Sequence, residues 1–123
     1  MWNAKGQDLN GFIKHWLSTE NTVLESIGVC GCNNLDGVLE GIQASKWDPK
    51  KRQRRFVSKA PNREKYLYTY DYKDCANAMD IERSDGLLAS IRIEEKDFFM
   101  FVWHKRFNEN PDAPAERILS LYY

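Results

Sequence analysis

The stretch LLASIRIEEKDFFMFVW, residues 87–103, decides the fold because it reads as two consecutive strands of an antiparallel meander. Its first half alternates between apolar and polar residues, which is typical of a strand with one buried face. The apolar positions of that half are Leu87, Ala89, Ile91 and Ile93. Its last six residues, FFMFVW (98–103), are apolar at every position, as in a central strand covered on both faces. The stretch therefore predicts a sheet with a central strand near its C-terminal end.

The first third of the chain reads as helical. Asp8 or Asn10 is placed to cap a first helix whose apolar residues recur with a helical period. These residues are Leu9, Phe12, Ile13, Trp16 and Leu17. Residues 19–28 predict a second short helix ending at Gly28, with a strand as the alternative. Asn33 or Asn34 is placed to cap a third helix over residues 35–42, which Gly37 and Gly41 weaken.

The middle of the chain favours further strands. Two apolar and aromatic segments flank APNR, residues 60–63, where Pro and Asn stand in the order of a type I turn, so we expect a hairpin. A short strand is expected at residues 78–82 and a helix or extended tail at residues 115–123. The chain as a whole predicts one α+β domain, residues 1–123. In it, N-terminal helices pack on an antiparallel four- to five-stranded sheet, and a short C-terminal helix follows.

The composition is that of a globular protein. Of the 123 residues, 42% are hydrophobic and 29% are charged, which argues against a disordered chain. The sequence has neither an apolar run of membrane-spanning length nor the start of a signal peptide. Its three cysteines form no disulfide framework. We therefore expect a cytoplasmic protein with reduced thiols.

The net charge of zero hides an asymmetry. Residues 46–65 contain nine basic and two acidic side chains, a net charge of +7, so the remaining residues carry −7. A molecule polarised in this way can steer a charged partner. The densest part is KKRQRR, residues 50–55, which supplies the basic candidate binding residues Lys50, Lys51, Arg52, Arg54 and Arg55.

Next to this run, KYLYTYDYK, residues 65–73, places a tyrosine at every second position. These four tyrosines, Tyr66, Tyr68, Tyr70 and Tyr72, complete the set of candidate binding residues. A tight turn at APNR sets Val57, Arg55, Gln53 and Lys51 opposite the four tyrosines in that order, which makes the tyrosine face basic as well. A shift of one residue in this register would give the tyrosines different partners on the opposite strand.

The tyrosine row has two interpretations. In the first, the rings pack against a helix, and their hydroxyl groups lie at the solvent-exposed edge of this contact. In the second, the rings and Arg55 form an exposed platform, which would stack unpaired bases or anchor a protein partner. The basic run is likewise open to three interpretations: contact with phosphates, a solvated strand edge, or a patch for an acidic protein surface.

Catalytic and metal-binding constellations are incomplete in the sequence. The cysteines Cys30, Cys32 and Cys75 lack the paired spacing of a zinc site. The histidines His15 and His104 would suit acid–base cleavage of RNA only if they met in space. Asp85, Glu94 and Lys96 resemble the D…ExK spacing of a superfamily of metal-dependent nucleases, a resemblance that implies nuclease chemistry at these positions. We expect no catalytic residue, metal site or cofactor.

These patterns predict a small non-catalytic module that binds another protein. An inhibitor or antidote of the phage, plasmid or toxin–immunity type is the form we expect. One alternative is a protein that binds single-stranded RNA or DNA through the basic, tyrosine-rich hairpin. A second alternative is a small nuclease. The identity of the partner, the oligomeric state and the source organism do not follow from the sequence.

Overall fold

The computed structural model describes residues 6–32, 35–62 and 67–107. These residues form one helix and seven strands. In chain order, the elements are α1 (Gly6–Leu17), β1 (Ser26–Val29), β2 (Ser45–Lys46), β3 (Arg55–Asn62), β4 (Leu67–Asp74), β5 (Met79–Glu82), β6 (Leu88–Glu94) and β7 (Asp97–Trp103).

Five strands form one antiparallel sheet in the order β1-β7-β6-β5-β2, and β3 pairs with β4 in a separate two-stranded sheet. The stretch 87–103 forms β6 and β7, as its pattern predicts. Leu88 lies opposite Trp103 and Glu94 opposite Asp97, so Glu95 and Lys96 make a tight turn. The strand expected at residues 78–82 is also confirmed, as β5.

One face of the five-stranded sheet is covered by α1. The apolar stripe of the helix contributes Leu9, Ile13 and Trp16, each no more than 3% exposed. They pack on the inward residues of the three central strands, namely Ile81, Ala89, Ile91, Phe98, Met100 and Val102. The first helix predicted from the sequence is therefore confirmed, and its 3.6-residue period is explained by this contact. The predicted caps are wrong, because Asp8 and Asn10 both lie inside the helix.

The opposite face carries a second apolar cluster built around the aromatic residues of β7. Its members are Phe56, Cys75, Ala78, Leu88, Phe101 and Trp103. The ring of Phe56 lies 5.0 Å from that of Phe101 and 5.1 Å from that of Trp103. Strand β7 is thus buried on both faces, as its uninterrupted apolar sequence predicts. Phe56 and Cys75 fix the base of the β3–β4 hairpin to the sheet.

The second and third predicted helices are wrong, and the strand given as the alternative to the second helix is confirmed. Residues 26–29 form strand β1 because they pair with the apolar residues 98–101 of β7, and this tertiary pairing outweighs local helical propensity. Residues 36–41 form turns instead of a helix. Gly37 and Gly41 adopt positive φ angles of 81° and 72°, which no α-helix accommodates. The C-terminal helix expected at residues 115–123 lies outside the described residues.

The hairpin is confirmed, but its predicted register is wrong. Val57 lies opposite Tyr72, and Lys59 and Pro61 lie opposite Tyr70 and Tyr68. Residues 60–62, taken as part of a turn, belong to β3. Proline is accepted there because a two-stranded sheet offers edge positions where no N–H donor is required.

The architecture is α+β, with an N-terminal helix on a largely antiparallel sheet. None of the described helices is long and apolar enough to cross a membrane.

Candidate binding surface

The β3–β4 hairpin is an arm attached to the domain at its base. The two strands contact chiefly each other and share no ladder with the five-stranded sheet. The backbone N–H of Cys75 donates to the carbonyl oxygen of Arg54 at 2.9 Å, closing the base just beyond the last strand pair. The described helix, α1, packs on the other side of the five-stranded sheet from this base. The base of the hairpin therefore joins the five-stranded sheet on the face opposite α1.

One face of the hairpin combines a cation with an aromatic ring. Arg55 lies opposite Asp74, two residues along the ladder from the pair formed by Val57 and Tyr72, and therefore on the same face. The guanidinium carbon of Arg55 is 5.1 Å from the ring centroid of Tyr72, a cation–π distance. The expectation that Arg55 shares a face with the tyrosine row is confirmed for Tyr72. Positions 70 and 68 alternate with it along the same strand, and Tyr66 lies outside the described residues.

Next to this pair, Arg54 and Asp74 form an exposed ion pair. The Nε and Nη2 atoms of Arg54 donate to the two carboxylate oxygens of Asp74, each at 3.0 Å. The two side chains are 61% and 53% exposed, so the pair adds little to stability. The hydrogen bonds from Arg54, with one from the backbone N–H of Ala76, lower the pKa of Asp74 to about 2. An anionic group is thus held within the basic surface.

Lys50 and Lys51 extend the surface along the turn before β3. The carboxylate of Asp48 accepts a hydrogen bond from the backbone N–H of Lys50 at 2.9 Å, and its carbonyl oxygen accepts one from that of Lys51. Both lysine side chains are exposed. Lys51 also lines a polar cavity of about 340 Å³, which Glu82 borders. The turn therefore presents two lysines at positions that the backbone fixes.

Arg52 does not belong to this surface. Its side chain is fully buried, and it forms a two-point ion pair with Asp80, at 2.9 Å from Nε and 2.8 Å from Nη2. Its remaining donors reach the carbonyl oxygens of Cys75 at 2.8 Å and Gln53 at 3.0 Å. The prediction that Arg52 contacts a partner is therefore wrong for this structure, because its guanidinium is inside the protein. Its charge stabilises the join between the hairpin and the sheet.

Two indole rings and a hydroxyl group complete the buried network. The guanidinium of Arg52 lies 5.5 Å from the ring centroid of Trp47 and 5.1 Å from that of Trp103. Ser90 Oγ donates to Asp80 at 2.6 Å and accepts from Trp103 Nε1 at 2.8 Å. This network was not predicted from the sequence. Asp80 is a carboxylate between Met79 and Ile81 in β5, and this is the one local signal that the sequence offers.

The cysteines do not converge. Cys32 is buried in the cluster under α1, whereas Cys75 is buried in the cluster on the opposite face of the sheet. Cys30 is exposed. Burial raises the pKa of the Cys75 thiol to about 11, so at neutral pH this group is a small apolar side chain. Among the described residues, no three Cys, His, Asp or Glu side chains are grouped in a way that could hold a metal ion.

The remaining catalytic candidates are also dispersed. Asp85 precedes β6 and is bound by the guanidinium of Arg83, at 2.8–3.1 Å, whereas Glu94 ends that strand. The length of β6 therefore separates the acidic groups of the D…ExK pattern. His15 lies in the last turn of α1, and His104 follows β7, where its Nε2 atom is 2.8 Å from the carbonyl oxygen of Leu24. The acidic set is therefore not assembled, and the two histidines lie in or beside different elements.

Comparison with known proteins yields relatives but no function. No family model matches the chain, and no solved structure matches it. An uncharacterized protein of the nematode Caenorhabditis elegans is 32% identical over 125 residues, covering 95% of this chain and 27% of that protein. A second uncharacterized protein of the same nematode is 23% identical over 112 residues, covering 87% of this chain and 25% of that protein. The chain spans about a quarter of the length of the curated relatives it matches.

Proposed function

We propose that the chain is a non-catalytic protein-binding module that contacts its partner through the basic face at the base of the hairpin. The residues assigned to this contact surface are Lys50, Lys51, Arg54, Arg55 and Tyr72. Tyr66, Tyr68 and Tyr70 remain members of it by the sequence prediction alone. Arg52 is left out because it is buried.

The observation that carries the proposal is the attachment of the hairpin. Strands β3 and β4 belong to a sheet of their own and meet the domain through Phe56 and Cys75. In the described part of the chain this pair adds no strand to the five-stranded sheet, so we assign its basic and aromatic side chains to a partner. Arginine and tyrosine, which meet here in the Arg55–Tyr72 pair, are enriched among residues that dominate the binding energy of protein interfaces.

The charge pattern favours an acidic protein surface over nucleic acid. Asp74 stands among the cations and engages Arg54 at both carboxylate oxygens, so a phosphate approaching this arginine would meet a fixed negative charge. Arg55 already lies over the ring of Tyr72, where a base would have to stack. A folded protein can place its own cations and anions around such a mixed pattern, and this complementarity fixes register and speeds association.

A binding assay with two probes tests the proposal. We would measure the fluorescence anisotropy of a labelled oligoglutamate peptide and of labelled oligouridine, each at low and at physiological salt. The variants are Lys50→Ala/Lys51→Ala, which removes two charges from the surface, and Arg55→Ala/Tyr72→Ala. We expect each variant to weaken binding of the acidic peptide by at least about tenfold, with the lysine variant also reducing the salt dependence.

The matched control is Lys96→Ala/Lys105→Ala, which removes the same charge from exposed positions outside the hairpin. An equal loss of binding in the control would reduce the effect to overall charge and contradict the proposal. Tight, salt-dependent binding of oligouridine that the hairpin variants abolish would place the nucleic-acid alternative first. Absence of peptide binding at low salt would also count against an acidic partner.

The inhibitor or antidote function expected from the sequence remains a prediction. The relatives come from an animal and lend no support to a phage, plasmid or toxin–immunity origin, so the proposal does not extend to an inhibitor or antidote. Cytoplasmic location is likewise a prediction.

A further inference from the structure

The outer edge of β1 carries backbone hydrogen-bonding groups that point away from the sheet. The N–H of Val102 donates to the carbonyl oxygen of Glu25 at 2.8 Å, which makes these two residues a hydrogen-bonded pair. In an antiparallel ladder such pairs recur at every second residue, so Ile27 and Val29 also bond inward to β7. The N–H and C=O groups of Ser26 and Gly28 therefore point outward.

The register of the β6–β7 hairpin shows independently which residues of β7 bond to β1. A two-residue turn makes Glu94 and Asp97 a hydrogen-bonded pair, so the odd-numbered residues of β7 bond to β6. Its even-numbered residues, including Phe98 and Met100, are then left to bond to β1. They pair with Val29 and Ile27.

β1 lacks two of the features by which sheet edges are often protected from pairing, charged side chains and proline. Its sequence, SIGV, contains no charged residue and no proline. The other edge strand, β2, is two residues long, includes Lys46 and is followed shortly by Pro49. Among the described residues, β1 has a strand on one side only. The two edges of this sheet therefore differ, and β1 is the one open to another strand.

Partly exposed apolar side chains line this edge on both faces of the sheet. Ile27 and Val29 are half-buried on the helix side. On the other side, the half-buried ring of Phe99 leans over Gly28, so closely that a Cβ atom there would lie 3.0 Å from it. An added strand would cover all three side chains.

We propose that a second copy of this chain pairs with β1 through its own β1, antiparallel and about a two-fold axis. In the register centred on Ile27, Ser26 of each copy lies opposite Gly28 of the other, and these outward groups form the hydrogen bonds. The two Ile27 side chains then meet at a non-hydrogen-bonded position, where facing residues are closest. The result is one continuous sheet across both copies.

A second copy fits this edge better than a charged peptide does. The strand is uncharged and the whole chain has no net charge, so two copies do not repel each other at long range. A two-fold axis also makes the surface self-complementary, which is the commonest arrangement in homo-oligomers. The inference does not depend on the proposed function of the hairpin, which lies elsewhere on the chain.

Sedimentation equilibrium from roughly micromolar to roughly millimolar concentration tests the pairing. We expect the apparent mass to rise from 14.4 kDa toward twice that value. Ser26→Pro removes an outward N–H and should raise the dissociation constant by at least about tenfold, while Ser26→Thr keeps the N–H and should leave it within about twofold. A wild-type chain that stays monomeric throughout, or a folded Ser26→Pro variant that dimerises normally, would overturn the proposal.

A charge exchange tests the register without proline. Ile27→Lys and Ile27→Glu each place like charges opposite one another across the axis and should be monomeric. An equimolar mixture of the two should associate, because Lys then faces Glu. If the mixture stays monomeric although both variants are folded by circular dichroism and the wild type dimerises, Ile27 is not at the axis and the proposed pairing is wrong.

Discussion

Replacing Asp80 by alanine is expected to lower the free energy of unfolding by about 3–5 kcal/mol, because it leaves the buried guanidinium of Arg52 without its counter-ion. The lost contacts are the two hydrogen bonds from Arg52, at 2.8 and 2.9 Å, and one from Ser90, at 2.6 Å. The carbonyl oxygens of Cys75 and Gln53 still accept from Arg52 but carry no net charge. Urea denaturation followed by far-UV circular dichroism measures the change. Since domains are stable by about 5–15 kcal/mol, the variant should still fold.

A double-mutant cycle with Arg52→Met separates the ion pair from general disruption. The double variant should lose at least about 1 kcal/mol less free energy of unfolding than the summed losses of the two single variants. The reason is that removing both charges leaves neither of them buried without a counter-ion. Asp74→Ala is the matched control: it breaks an exposed pair, with Arg54, and should cost no more than about 1 kcal/mol. The reasoning that burial makes this pair important would be refuted if the effects of the two single variants on the free energy of unfolding were additive. It would also be refuted if Asp80→Ala lowered that free energy by less than about 1 kcal/mol.

Three further predictions follow from local geometry. Gly11→Ala should stabilise the protein by about 0.5–1 kcal/mol, because Gly11 lies in the interior of α1 with open space around its Cβ position. Gly86→Ala should destabilise the protein by about 1–2 kcal/mol, because φ at Gly86 is 92°. Thermal unfolding of both variants checks that the two effects have opposite signs. A thiol-specific reagent should label one of the three cysteines in the folded protein and all three in urea; rapid labelling of two or more without urea would contradict their burial. The cysteines are Cys30, which is exposed, and Cys32 and Cys75, which are buried. Asp74, whose pKa is lowered from 3.8 to about 2, stabilises the folded state above pH about 4, and this contribution is lost as the pH falls toward 2. Asp74→Asn should therefore flatten the dependence of unfolding free energy on pH in that window, and an unchanged slope would show that the Arg54 contact does not persist in solution.

The parts of the fold that were predictable are those whose signal is local. Residues 87–103 alternate and then become uniformly apolar, and both patterns correspond to observed burial in β6 and β7. The helix α1 has a complete apolar stripe. Residues 35–42 also have such a stripe, yet they form turns because Gly37 and Gly41 take left-handed conformations. From sequence alone, those glycines indicated only a weakened helix.

The features that were not predictable depend on distant partners. The hairpin register is fixed at its base, where Phe56 and Cys75 are buried against the sheet, and the sequence of the strands themselves allows several alignments. Arg52 stands in a run of basic residues that looks solvated throughout. Its burial depends on Asp80, 28 residues further along the chain, and no pattern within the run separates Arg52 from Arg54.

The attachment of the β3–β4 hairpin by its base also limits how this arm can change during evolution. Because side chains alternate along both strands, an insertion of one residue in each strand would turn the distal positions over relative to Arg55 and Tyr72. Insertions or deletions of two residues per strand would lengthen or shorten the arm and keep its faces. Homologous chains should therefore differ in hairpin length by even steps in each strand, while the base at Phe56 and Cys75 keeps its spacing.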